Sequence, residues 1–309
     1  MGTPDFAVPT LSALIESKYD IGFVITQPDK PKGRGMHIQS PPVKEVALNQ
    51  GLQVYQPQTL RNNAEIRSLF STAGLDAVIV VAYGKMIPPG LLSIPKMGFI
   101  NIHASLLPDL RGASPINRAV MAGYTKTGIS IMQIDEGMDS GPIYLQSSIT
   151  FGEEEDAAII SERLSILGAA KLLEVLALIE KGKIRPVQQD NTRATYAPML
   201  TKDEGKIDWS KDPRAIYNMI RGLVPWPCAY TYFQGKMLKI MSASYEIDNH
   251  GMKTGTLLKY KSGVRITCNG GYILPKTLQL EGKKMLDARA FSCGLKTEQE
   301  PVGREKEIL

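Results

Sequence analysis

An uninterrupted apolar run, which follows Asp76 and extends to residue 82, most constrains the fold of this 309-residue chain. Its Ala77, Val78, Ile79, Val80 and Val81 leave no polar face, as expected for a strand buried on both sides of a parallel sheet. Further strand-like runs lie at 21–26, 98–102, 128–134 and 143–149, and helical patterns lie at 6–18, 42–50 and 60–72. This alternation predicts an α/β fold with a Rossmann-like, mostly parallel sheet and helices on both faces.

Domain organisation follows from a change in pattern along the chain. A long amphipathic helix is predicted over 160–179, and the periodicity then fails. We predict a catalytic domain over 1–185, a linker over 186–204 and a small OB-like β-barrel over 205–309, because short strands alternate with turn signals there. Residues after 295 are charged and predicted to fray.

The start of the first domain is unusual. Gly2, Thr3, Pro4 and Asp5 read like the loop that follows a first strand and leads into a first helix. No strand precedes them in this sequence, so we expect either that the given sequence starts within the domain or that the sheet lacks a strand that such sheets place centrally.

The charge balance differs between the two parts. Residues 205–309 carry 17 Lys and Arg against 10 Asp and Glu, whereas residues 1–204 carry 19 against 21. The excess favours either a polyanionic partner or merely a solubilising surface. The sequence contains no apolar run of about 18 residues, so no membrane span is predicted. Its first residues do not have the pattern of a signal peptide. The dispersed Cys228, Cys268 and Cys293 indicate reduced thiols, so we expect a cytoplasmic protein.

Candidate catalytic groups follow the strand at 98–102. Asn101 and His103 are two residues apart, so strand alternation points both side chains to one side. Asp139 lies in the turn between the predicted strands at 128–134 and 143–149. An amide and an imidazolium can stabilise a developing oxyanion, and a carboxylate can hold the imidazole in its charged form. These types of residue suit attack of an amine on a carbonyl-level carbon.

Other chemistries have weaker support. His103 has no second histidine nearby to complete a metal site with Asp135, Glu136 and Asp139, so no metal is expected. Ser105 lies outside a G-x-S-x-G motif, and Leu106, Leu107 and Pro108 after it indicate an apolar wall. Phosphate-loop and dinucleotide motifs are absent from the sequence.

A basic segment at residues 28–37 is the second candidate feature. Its charge is mainly positive, because one acidic residue, Asp29, is accompanied by the basic residues Lys30, Lys32, Arg34 and the nearby Lys44. Such a loop either grips a phosphate backbone or is simply a solvated loop.

These residues together resemble the folate-dependent formyltransferases. The resemblance is carried by the motifs Gly2-Thr3-Pro4-Asp5-Phe6, Val81-Ala82-Tyr83-Gly84, Asn101-Ile102-His103 with Ser105-Leu106-Leu107-Pro108, Arg111-Gly112-Ala113 and Asp139-Ser140-Gly141. Gln27-Pro28-Asp29, Gly33-Arg34-Gly35, Ile207-Asp208-Trp209-Ser210 and Pro225-Trp226-Pro227 resemble the members that act on initiator methionyl-tRNA.

The resemblance implies 10-formyltetrahydrofolate as formyl donor and initiator methionyl-tRNA as acceptor, with no metal, no membrane and a monomeric protein. It implies catalytic roles for Asn101, His103 and Asp139. Folate binding is implied for Tyr83, Gly84, Ser105, Leu106, Leu107 and Pro108. Lys30, Lys32 and Arg34 would bind tRNA together with the C-terminal barrel.

Three alternatives remain open at this point. The acceptor could be a small amine such as glycinamide ribonucleotide or an amino sugar nucleotide, or the formyl group could pass to water. A non-enzymatic RNA-binding module is the third. The basic segment and barrel argue against a small acceptor, because such an acceptor needs neither.

Overall fold

The computed structural model describes residues 1–32, 37–260 and 263–303. The chain divides into two compact units. The first comprises 1–115, 126–150 and 161–198, and the second comprises 116–125, 151–160 and 199–309. Residues 186–198, predicted as part of the linker, lie in the first unit, and the predicted domain boundaries stay a prediction.

A four-stranded mixed sheet forms the centre of the first unit. Its order is β5 (Val78–Val80), β6 (Phe99–His103), β7 (Lys126–Gln133) and β8 (Ile143–Thr150). β5 and β6 are parallel, whereas β7 runs antiparallel to both β6 and β8. The α/β fold is confirmed, and the parallel pairing is on the β5 side of the sheet.

The first two residues of the chain lie beside β5. The Met1 nitrogen donates to Ile79 O at 2.6 Å, and Val81 N donates to Met1 O at 2.9 Å. Gly2 N donates at 3.1 Å to Ile25 O in β1 (Val24–Ile25), which pairs in parallel with β4 (Val54–Tyr55). The central position expected to lack a strand is therefore occupied by this short stretch of backbone.

Helices cover both faces of this sheet. On one face, Phe70 in α3 (Ala64–Thr72) stacks on Phe99 with ring centroids 5.8 Å apart. On the other, Gly168 in α6 (Ala157–Glu180) approaches Ile102 so closely that a Cβ there would lie 2.8 Å from Ile102 Cγ2. Three further helices described in the first unit are α1 (Val8–Ile15), α2 (Pro42–Asn49) and α4 (Pro89–Leu92), whereas α5 (Pro115–Met121) lies almost wholly in the second unit. α4 and α5 were not predicted, because they are too short to show a helical period.

The basic segment forms a hairpin that its glycines and lysines did not reveal. β2 (Lys30–Lys32) pairs antiparallel with β3 (His37–Gln39). Residues 33–36 between them lie outside the described residues.

The second unit is a curled antiparallel sheet with two helices, α7 (Pro213–Gly222) and α8 (Ala288–Cys293). Its strands are β9 (Ala229–Phe233), β10 (Lys236–Ile247), β11 (Thr256–Tyr260), β12 (Gly263–Cys268), β13 (Gly271–Leu280), β14 (Met285–Asp287) and β15 (Gln299–Pro301). The path runs β15-β11-β12-β13-β10-β9, and β14 pairs with β13. A bridge between Phe233 and Val302 then joins the two ends of the path.

Fraying after residue 295 is wrong for the described residues. β15 pairs with β11 between Leu258 and Gln299, and Gly303 N donates to Tyr232 O at 2.8 Å. Charged side chains do not prevent pairing at the edge of a sheet, because the backbone supplies the hydrogen bonds. None of the helices in the described part of the chain is long and apolar enough to cross a membrane.

Candidate active site

The candidate site lies where β6 ends. Asn101 pairs in register with Val80 of β5 and Met132 of β7, and His103 pairs with Ser130. Alternation along β6 places Asn101 and His103 on the same face of the sheet. Asn101 is half-buried, whereas His103 is only 6% exposed.

The imidazole of His103 lies between two acceptors. Its Nδ1 is 3.6 Å from Asp139 Oδ2, and its Nε2 is 3.0 Å from Leu110 O. A carbonyl oxygen and a carboxylate only accept hydrogen bonds, so an N–H on either ring nitrogen would point toward an acceptor. The predicted proximity of His103 and Asp139 is thus present in the structure.

Asp139 is held in an unusual backbone conformation. Its φ is +50°, in the left-handed region that Asp tolerates better than most residues. Its Oδ2 also accepts a hydrogen bond of 2.8 Å from Gly112 N. The carboxylate therefore connects the turn after β7 to the loop after β6.

The Ser105–Pro108 stretch is fixed by two neighbouring strands. Ser130 Oγ donates to Ser105 O at 2.7 Å and accepts from Leu107 N at 3.1 Å. Gln146 Nε2 donates to Leu107 O at 2.8 Å, and Ser105 Oγ donates to Asp109 O at 2.6 Å. Ser105 and Leu107 are thus buried and internally bonded, and Leu106 and Pro108 are the half-exposed members.

Tyr83 and Gly84 present different groups. The Tyr83 ring is 1% exposed within the core, where burial raises the pKa of its hydroxyl to about 12. The Tyr83 carbonyl accepts from Gln27 Nε2 at 2.9 Å. The backbone of the exposed Gly84, rather than the Tyr83 ring, is the accessible part of this motif.

The basic residues of the hairpin have separate environments. Lys30 is exposed and donates to Gln27 Oε1 at 2.8 Å. Lys44 pairs with Asp29 at 2.7 Å, and this hydrogen bond lowers the pKa of the Asp29 carboxyl. Lys32 belongs to β2, and the predicted tRNA contact Arg34 lies outside the described residues.

Two profiles of one known protein family match most of this chain. A profile described as formyl transferase matches residues 1–176, and one described as formyl transferase, C-terminal domain, matches residues 199–296. The chain belongs to the formyl transferase family.

Relatives of this formyltransferase extend over nearly its whole length. It is 45% identical over 302 residues to the methionyl-tRNA formyltransferase of Geobacter metallireducens, covering 96% of this chain and 95% of the relative. It is 43% identical over 295 residues to the methionyl-tRNA formyltransferase of Caldanaerobacter subterraneus subsp. tengcongensis, covering 95% of each.

Solved structures share the fold. WlaRD, a sugar 3N-formyltransferase crystallised with dTDP and 5-N-formyl-THF, superposes with a TM-score of 0.67 at 16% identity, covering 92% of this chain and 97% of that one. The N-formyltransferase from Helicobacter canadensis, in complex with folinic acid and dTDP-3-aminofucose, gives 0.65 at 16% identity, covering 89% and 96%.

Sequence reasoning missed the backbone groups of the formyltransferase site. Leu110 O and Gly112 N contact the ring and the carboxylate, yet nothing in the sequence marks a main-chain atom as functional. The one available signal was Gly112, whose φ of +118° requires glycine. Within the described residues, no cluster of three or more His, Cys, Asp or Glu is arranged to hold a metal ion.

Proposed function

We infer that this formyltransferase moves a formyl group from 10-formyltetrahydrofolate to the α-amino group of methionine on initiator methionyl-tRNA. The observation that carries the chemistry is the His103–Asp139 pair, 3.6 Å apart on adjoining loops at the end of β6. The acceptor is inferred from the near full-length identity to methionyl-tRNA formyltransferases. The product serves translation initiation, which assigns the enzyme to the cytoplasm.

The reaction balances without a further reagent. The neutral amine nitrogen forms a bond to the formyl carbon, and the carbonyl oxygen becomes an oxyanion. The bond from that carbon to the folate nitrogen then breaks as the oxyanion collapses. The amine gives up a proton, and the folate nitrogen takes one up.

His103 supplies positive charge to the oxyanion in this proposal. Its Nδ1 remains beside Asp139, and its Nε2 exchanges the bond to Leu110 O for one to the substrate oxygen. Both ring nitrogens lie near acceptors before substrate binds, so the ring orientation is set by Leu110 O and Asp139. A donor prepared in this way needs no reorganisation as charge develops.

Asn101 is the second donor to the oxyanion. It is half-buried, two residues before His103 on the same face of β6. A strand is a rigid support, so the carboxamide and the imidazole keep a fixed spacing. We assign it no proton transfer, because an amide does not titrate.

The folate donor is assigned to the loops that flank these groups. Leu106 and Pro108 are half-exposed apolar side chains on a stretch fixed by Ser130 and Gln146. Gly84 offers exposed backbone close in sequence to the strand β5. An apolar wall with a few backbone polar groups is the usual composition of a site for a flat ring system. Ser105, Leu107 and Tyr83 support this wall from the interior.

We assign tRNA binding to two basic regions of the chain. Lys30, Lys32 and Arg34 belong to the hairpin segment of the first unit. The C-terminal residues 205–309 carry the excess of 17 basic over 10 acidic residues. Each phosphate contact by Lys or Arg makes binding weaker at higher salt.

The test is formyl transfer to charged initiator tRNA, with glycinamide ribonucleotide and water as alternative acceptors. We expect transfer to the tRNA, and a preference for either alternative acceptor would overturn the assignment. His103→Ala and Asn101→Ala should each lower kcat roughly a hundred-fold or more, because each removes one oxyanion donor. The exposed Asn49→Ala is the control for the amide substitution.

The hairpin has its own test. Arg34→Ala should raise the KM for tRNA and reduce its dependence on salt, while kcat at saturation is retained. An unchanged salt dependence would remove Arg34 from tRNA binding.

A further inference from the structure

An irregular stretch between the two family-matched ranges contacts both loops of the candidate site. Residues 189–197, here called the bracing segment, lie outside the matches at 1–176 and 199–296. Arg111 N donates to Thr195 O at 2.9 Å, and Ala197 N donates to Arg111 O at 2.7 Å. The segment thus runs beside Leu110, Arg111 and Gly112, the loop that provides the backbone contacts to His103 and Asp139.

Gln189 connects this loop to the Asp139 turn. Its Nε2 donates to Asp139 O at 2.9 Å and to Gly141 O at 2.7 Å. Its Oε1 accepts from Arg111 Nε at 3.2 Å and from Arg111 Nη2 at 2.7 Å. A carboxamide has two N–H donors and an oxygen with two lone pairs, so its full capacity is used in these contacts.

Arg111 holds the other side of this amide. The residue is only 4% exposed, and its Nη2 also donates to Asn191 Oδ1 at 2.7 Å. A buried guanidinium is strongly oriented by its hydrogen bonds, because each unpaired donor would lose solvation without replacement. Arg111 therefore fixes the direction of the Gln189 carboxamide.

The Asp139 turn needs such support. Its backbone has a φ of +50°, which is uncommon for a residue other than glycine, and its carboxylate lies 3.6 Å from His103 Nδ1. The two hydrogen bonds from Gln189 span the turn from residue 139 to residue 141.

We propose that Gln189 is a positioning residue for formyl transfer, held by Arg111, which keeps the Asp139 carboxylate on His103. This inference rests on the proposed function of the site. Gln189 touches neither substrate nor the reacting atoms in it, and it acts through the backbone of the Asp139 turn.

The decisive variant is Gln189→Glu. The new carboxylate keeps oxygen acceptors for Arg111 but loses both N–H donors to Asp139 O and Gly141 O. The variant therefore separates support of the Asp139 turn from the contact with Arg111. We expect kcat to fall roughly ten- to a hundred-fold, with KM for folate and tRNA within about two-fold. Gln188→Glu places the same charge on the neighbouring exposed residue and should match the unsubstituted enzyme.

A double-mutant cycle with Asp139→Asn distinguishes positioning from general stability. If Gln189 acts through the Asp139 carboxylate, Gln189→Glu should change kcat by less than about two-fold in the Asp139→Asn background. Multiplicative losses from the two substitutions would overturn the proposal, as would normal kcat in Gln189→Glu.

Asn191→Ala provides a second variant in case Gln189→Glu folds poorly. It removes one acceptor from Arg111 and leaves Gln189 intact, so it should cause a smaller loss of kcat that also vanishes in the Asp139→Asn background. Thermal melts establish that each variant is folded at the assay temperature. Failure of the unsubstituted enzyme to formylate methionyl-tRNA would overturn the proposed function. An active enzyme insensitive to these substitutions would overturn the positioning role alone.

Discussion

At the scale of single residues, the structure shows how differently two histidines are surrounded. His250 Nε2 faces Cys268 O and Gly271 O, and its Nδ1 accepts from Met252 N at 2.9 Å. That arrangement fixes a turn. His103 instead has Leu110 O near its Nε2 and the Asp139 carboxylate near its Nδ1. The motif around His103 singled it out in the sequence, but only the structure shows which groups surround its ring.

Ser130 provides a residue-scale prediction about stability. Its hydroxyl donates to Ser105 O and accepts from Leu107 N and Gln146 Nε2. The residue is fully buried. Ser130→Ala removes the hydroxyl from the buried Ser105 O and Leu107 N, so we expect the free energy of unfolding to fall by about 1–3 kcal/mol.

Urea denaturation measures this loss. Ser148→Ala, on the exposed side of β8, is the matched control and should change the free energy of unfolding little. Equal stability of the two variants would show that the Ser130 hydroxyl does not hold the loop.

At the scale of elements, the sequence predicted regular structure better than the loops that build the site. The helix predicted over 42–50 is α2 (Pro42–Asn49) and the strand predicted over 143–149 is β8 (Ile143–Thr150), because apolar periodicity is local. The bracing segment was predicted as a linker, since its polar residues show no periodicity. Its hydrogen bonds go to residues about 80 positions away, as in the 2.7 Å bond between Arg111 and Asn191, and no local pattern records such pairing.

Gly112 carries the element-scale prediction. Its φ is +118°, and a Cβ there would lie 2.8 Å from Ala197 O in the bracing segment. Gly112→Ala should push the loop after β6 away from this segment and displace the N–H that binds Asp139. We expect kcat to fall roughly ten-fold or more together with a lower Tm.

Gly90→Ala is the control for this substitution. Its added Cβ would meet only Arg67 Nη1 at 3.5 Å, an ordinary contact, and its φ is not in the left-handed range. If both variants kept normal kcat and Tm, the close approach of the two segments would not matter to the site.

At the scale of the whole molecule, long-range ion pairs link distant parts of the sequence. Arg118 Nη1 and Glu204 Oε2 are 2.5 Å apart although 86 positions separate them. The hydrogen bond from Arg118 is the main cause of the lowered pKa of Glu204, whose ordinary value is 4.5. A carboxyl with a lowered folded pKa stabilises the protein above its ordinary pKa, and this stabilisation is lost as the pH falls through the folded value.

This linkage predicts how stability depends on pH. Glu204→Gln should lower the free energy of unfolding at about pH 7, and the difference from the unsubstituted protein should shrink as the pH falls below the ordinary value of 4.5 and through the lowered pKa of the folded carboxyl. Urea denaturation at several pH values measures it. The exposed Glu16→Gln is the control. A difference that stays constant from neutral to acid pH would contradict the role of the ion pair.

The sequence by itself determined the α/β fold, a C-terminal domain of short strands and the candidate residues His103 and Asp139, because apolar periodicity and short motifs are local properties of the chain. Only the tertiary structure decided which atoms surround these side chains. The carbonyl of Leu110, the N–H of Gly112 and the carboxamide of Gln189 reach the site through loop conformations that long-range packing selects. A backbone group has the same chemistry at every position, so its function depends on where the fold carries it.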